Sequence, residues 1–93
     1  MSYSFAVVAF TKAEAKRKVE AKFDEVLASQ PVHAADLPAA RAAVAALIDV
    51  LNEPGDFQQI NVSVSGYVSW RAEGEFTGAN LSVNAAVNAA TGT

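Results

Sequence analysis

At 93 residues the chain has room for one domain, spanning 1–93, with a core of its own; it carries no cysteine, which excludes a disulfide framework, thiolate chemistry and cysteine-held metal. Seven basic against ten acidic side chains leave a net charge of -3, which argues against bulk nucleic-acid binding. The start Met-Ser-Tyr-Ser has no leader pattern, and no apolar run nears the ~18 residues that span a bilayer, so a cytoplasmic protein without membrane contact is expected.

Residues 2–10 predict a strand. Tyr3, Phe5, Val7 and Ala9 alternate with Ser2, Ser4, Ala6 and Val8, the period of two that a pleated strand imposes. Both faces become apolar at Val7-Val8, which predicts burial near the strand's end.

Residues 12–30 predict a helix. Thr11 and Glu14 have the spacing of a capping box, and Ala15, Val19, Phe23, Val26 and Leu27 form its apolar stripe. Lys12 and Lys16 lie in line with that stripe, and basic groups are unfavourable near a helix N-terminus. Two readings follow. The first turns overhang the sheet and the lysine stems lie along it; or Thr11, Lys12 and Lys16 hold a phosphate-bearing ligand at the helix N-terminus. Arg17, Lys18 and Lys22 extend the basic cluster, but Glu14, Glu20, Asp24 and Glu25 are interleaved with it as ordinary helix-face pairs.

A turn broken by Pro31 leads to a second helix over 36–52, with Asp36 as N-cap and Pro38 in the first turn. Its stripe is Leu37, Ala40, Val44, Leu47, Ile48 and Leu51; the opposite side is mostly alanine, which favours helix. Pro54-Gly55 then marks the boundary.

The last third predicts a long hairpin, with strands 57–72 and 75–88 and a flexible tail over 89–93. Ile60, Val62, Val64, Gly66, Val68 and Trp70 take every second place; Leu81, Val83, Ala85 and Val87 do so in the second strand. Opposed residues share a face, so paired numbers must have an odd sum. A two-residue turn at Glu73-Gly74 sets that sum at 147, pairing Val64 with Val83 and Gly66 with Leu81. Phe76 then falls on the polar side unless a bulge near Gly78 returns it.

The predicted fold is therefore α+β: a two-layer β-α-α-β-β chain, with an antiparallel helix pair on one face of a three-stranded, mainly antiparallel sheet. The first strand can join either edge of the hairpin. The uncovered face carries Ser63, Ser65, Tyr67, Asn80, Ser82 and Asn84, with no charge along its middle. Such a face is either an ordinary solvated surface of small residues or a docking surface, since solvated sheets usually carry charges that guard against edge pairing.

Catalytic and metal motifs are not legible. Ser29, His33 and Asp36 are ordinary turn residues rather than a triad. Glu73 and Glu75 read as charges on a solvated hairpin tip. No cofactor is expected, and the chain is not expected to be an enzyme.

The run Val62-Ser-Val-Ser-Gly-Tyr-Val-Ser-Trp70, with Asn80-Leu-Ser-Val-Asn84, resembles a pattern in short, uncharacterised bacteriophage and prophage proteins. That resemblance implies a setting inside a bacterial host, and no shared activity. The leading expectation is an interaction protein that forms a homo-oligomer through its sheet edges or Ser/Asn face, and acts by binding, as on a host protein. The alternative is a small-ligand module for a phosphate-bearing molecule or nucleotide near Lys12 and Lys16.

Overall fold

The computed structural model describes residues 2–70 and 76–89 and, within these, all side chains but those of 32, 68–70 and 76–79. Strand β1 (Ser2–Ala9) leads to helix α1 (Lys12–Ser29), a 3₁₀ turn (Pro31–Ala35) and helix α2 (Leu37–Asp49). Strands β2 (Gln58–Trp70) and β3 (Phe76–Ala89) follow. The fold is α+β: the helices pack on a three-stranded antiparallel sheet of order β1-β2-β3, so β1 joins the first strand of the hairpin.

Period-two alternation decides which sheet face is covered. β1 pairs with β2 so that Tyr3 opposes Gly66, Phe5 opposes Val64 and Val7 opposes Val62. β2 pairs with β3 at the predicted register: Gln58 opposes Ala89, Val64 opposes Val83 and Ser69 opposes Gly78. The register then shifts between Ser69 and Trp70, which sets Trp70 opposite Phe76. The predicted turn at Glu73-Gly74, the tip at Arg71 and Glu75, and residues 90–93 of the tail lie outside the described residues.

Side chains from both helices and all three strands form one core. Val19 and Phe23 of α1 and Leu37, Val44 and Ile48 of α2 are buried against Val7, Ile60, Val62 and Val64. Full burial of a side chain such as Phe23 stabilises by about 1.5–3 kcal/mol. Phe23 also meets Phe5 edge-on at 5.1 Å and Tyr3 at 6.4 Å. Above it, Arg41 lies 5.4 Å from the ring centroid and bridges from α2 to Glu20 and Asp24 of α1. Those two carboxylates keep the Arg41 guanidinium more firmly protonated than usual, Asp24 first.

Several boundaries differ from the sequence reading. Val8 is exposed rather than buried, because only the face carrying the odd-numbered residues of β1 meets the helices. Helix α2 stops at Asp49, not Asn52, where the amide of Leu51 turns back to Ile48 O. Leu27 and Leu47 lie at the margins of the helix pair and remain partly exposed. Asp36 precedes α2 but its side chain accepts no capping hydrogen bond from it; its carboxylate faces His33 instead. Glu14 caps in part as expected: its amide donates to Thr11 Oγ1, but its carboxylate accepts from Phe10 N, one residue before the predicted partner.

Candidate functional site: the open sheet face

The three strands are built without charged residues, and no residue of β1, β2 or β3 is proline. From Thr11 to Asp56 the helix layer carries most of the charge, and beyond it the sequence has only Arg71, Glu73 and Glu75. The helices cover one face of the sheet. The other presents Ser2, Ser4, Ala6 and Val8 from β1 and Asn61, Ser63, Ser65 and Tyr67 from β2. β3 adds Asn80, Ser82, Asn84, Ala86 and Asn88.

All six residues singled out for this face in the sequence adjoin one another. Ser63 opposes Asn84, Ser65 opposes Ser82 and Tyr67 opposes Asn80, and each of the six is exposed. Their small side chains leave two shallow troughs. One, of about 380 Å³, is bordered by Ser4, Ala6, Ser63, Ser65 and Ser82. The other, of about 290 Å³, is bordered by Ser2, Tyr67, Asn80 and Leu81. At one end Gln59, buried despite its place on this face, donates to Asn61 Oδ1 at 3.2 Å.

The opposite side of the sheet is closely packed. Tyr3 lies across Gly66, where an added Cβ would sit 2.5 Å from the phenol ring. A glycine is therefore required there for close cross-strand approach. The Tyr3 hydroxyl is buried without a hydrogen-bond partner among the described residues. Burial pushes its pKa upward, and the charge of Asp36 adds to the effect. His33 closes the same corner. It is fully buried, its ring 4.8 Å from that of Tyr3, with Nδ1 facing Asp36 Oδ1 at 3.3 Å and Nε2 facing Gln30 Oε1 at 3.0 Å.

Sequence reasoning missed this role for His33. Its sequence context is a hydrophilic turn, whereas in the 3₁₀ helix Pro31–Ala35 it is fully buried against Tyr3. Its spacing of three from both Gln30 and Asp36 was the available signal. Ser29, His33 and Asp36 do not assemble a relay. Ser29 Oγ donates to the helix carbonyls of Glu25 and Val26, and both His33 nitrogens are engaged by Gln30 and Asp36. Among the described residues no three potential ligands cluster around a metal position.

Thr11, Lys12 and Lys16, the residues marked for an anion, find their partners inside the chain. Thr11 Oγ1 accepts from Glu14 N, and Lys12 N donates to Glu53 Oε1 at 3.0 Å. Lys12 Nζ donates to Asp49 O at 2.8 Å, and Lys16 pairs with the Asp49 carboxylate. The lysines thus cap the C-terminal end of α2, where helix carbonyls favour cations. This accounts for their position in line with the apolar stripe. Lys16 holds the Asp49 carboxyl below its usual range, while the amide of Phe10 does the same for Glu14.

Other exposed apolar side chains lie outside the Ser/Asn surface. Phe10, Val50 and Phe57 are exposed where β1 ends, α2 ends and β2 begins, and Phe57 holds a left-handed backbone with φ 65°. No described helix is long and apolar enough to cross a membrane. Comparison with known proteins finds no matching family model, no similar curated protein and no similar solved structure.

Proposed function

We propose that the chain is a non-enzymatic interaction protein that self-associates through its sheet and acts by binding. The observation that carries this reading is the segregation of charge: three strands without a single charged residue lie beneath a helix layer rich in ion pairs. Exposed strands ordinarily carry charges, prolines or bulges that prevent pairing with another chain. Here the exposed face and the outer strand carry hydroxyls, amides and small apolar groups, which suit contact over a wide, neutral area. The setting proposed with it is that of a small phage accessory or counter-defence factor in a bacterial cytoplasm, where the assembled surface would bind a host protein.

Nothing in the geometry favours the phosphate-binding alternative, since a ligand at Lys12 and Lys16 would have to displace Glu53 and Asp49. Light scattering after gel filtration tests the leading reading. The expected result is a mass that is a multiple of the 9.7 kDa chain. A 9.7 kDa species at every concentration would end it.

A further inference from the structure

We infer that the partner at the outer edge of β3 is a second copy of the chain. The two copies join β3 to β3 antiparallel about a two-fold axis at Asn84, forming one continuous six-stranded sheet. This rests on the self-association proposed above and adds its site, orientation and register.

Val8 O accepts from Lys18 Nζ, so the backbone groups of Val8 point away from β2. Direction alternates along a strand, so the odd-numbered residues of β1 point toward β2. Their partners Ile60, Val62, Val64 and Gly66 point back toward β1. The alternate residues Asn61, Ser63, Ser65 and Tyr67 then point toward β3, to Ala86, Asn84, Ser82 and Asn80. It follows that the N–H and C=O groups of Leu81, Val83, Ala85 and Val87 face outward from β3.

This edge is self-complementary. From Asn80 to Asn88 the polar and apolar pattern is roughly symmetric about Asn84: Asn80 mirrors Asn88, the apolar pairs Leu81/Val87 and Val83/Ala85 mirror each other, and small Ser82 mirrors small Ala86. A two-fold interface demands such symmetry, because each patch must meet itself. Antiparallel pairing about Asn84 opposes outward-facing groups with outward-facing groups. It places Asn84 opposite Asn84, Asn80 opposite Asn88 and Ser82 opposite Ala86 on the open face, and apolar opposite apolar on the helix side. No like charges meet, since β3 has none. Leu81 is 42% exposed, and Val83, Ala85 and Val87 are only partly buried within one chain. A copy would extend the apolar strip that these side chains begin.

The absence of cysteine makes the register measurable with single thiols. At non-hydrogen-bonded antiparallel pairs, opposed Cβ atoms come within disulfide reach. Under mild oxidation, Asn84→Cys is expected to form a covalent homodimer. Mixed Asn80→Cys and Asn88→Cys chains should form a covalent heterodimer, and Ser65→Cys, on the central strand, should not crosslink. Crosslinking of Ser65→Cys within an assembly of unchanged mass would overturn the edge and leave self-association standing. Crosslinking of Ser82→Cys in place of Asn84→Cys would overturn the axis. A chain that is monomeric before any substitution would end both readings. As a second variant, Asn84→Lys opposes two ammonium groups at the axis and should reduce the assembly to single chains; an unchanged mass would overturn the proposal.

Discussion

β1 and β3 flank the same central strand, and both lack charge, yet their outer edges are treated differently. Beside β1, helix α1 supplies cover: Lys18 Nζ reaches Val8 O at 2.8 Å, and Glu14 Oε1 accepts from Phe10 N at 3.2 Å. β3 receives no side-chain hydrogen bond to its backbone among the described residues. Burial follows the same division. Tyr3 of β1 is 6% exposed, whereas Leu81 of β3, opposite the same Gly66, is 42% exposed. Both strands present an alternating apolar row, so the contrast arises from helix reach rather than strand composition. The helix engages only the Val8–Phe10 end of the β1 edge, whereas β3 receives no such contact along its described length, and β3 is the edge proposed to take a partner.

The sharpest way to test the covered side is to empty it. Phe23→Ala removes a fully buried ring and should cost about 3–5 kcal/mol in denaturant unfolding. A much smaller loss would mean that the helix layer does not anchor β1. Gly66→Ala forces a methyl into the Tyr3 ring and should cost about 1–3 kcal/mol; no loss would show that Tyr3 moves readily.

Tyr3→Phe keeps the ring and removes a buried hydroxyl that has no partner among the described residues, so stability should rise by about 1 kcal/mol. Because burial raises the Tyr3 pKa, folding retains its proton; the native protein should keep its full stability below about pH 10 and lose it as pH rises further. The phenylalanine variant should lose that slope, as read by thermal melts across alkaline pH.

Glu14 and Asp49 titrate in the opposite sense. Their folded pKa values lie below the ordinary carboxylate range, so their contribution is present at neutral pH and disappears as pH falls through those lowered values. Asp49→Asn should flatten part of the acid limb of the stability curve, and an identical acid limb would show that the lysine contact has no energetic weight. On the bare side, Asn84→Lys should leave chain stability within about 0.5 kcal/mol, since it replaces an exposed residue. Its effect should appear in the assembly's mass alone.

The contrast between the edges also marks where sequence reasoning succeeds. The hairpin register was legible because Val64 and Val83 follow opposite parities, and one turn length reconciles them. The helix stripes were legible for the same reason: Val19, Phe23, Val44 and Ile48 recur at the helical period. Interactions between elements left no such pattern. Lys12 and Lys16 looked like a broken rule because their partner, the end of α2, lies more than thirty residues away in the chain. His33 is hidden because a single short 3₁₀ turn repeats its period of three too few times to stand out, and Asp36 uses its carboxylate on His33 rather than on the helix cap that its position suggests. The open face was visible as a composition, but which strand would be left at the bare edge depended on where β1 docked.

The direct test of that edge is amide hydrogen exchange by NMR, followed over a range of concentrations. The outward N–H groups of Leu81, Val83, Ala85 and Val87 should be protected at high concentration and lose protection together on dilution, while those of Ser63 and Ser65 stay protected throughout. Fast exchange at those four β3 positions at every concentration would contradict the account.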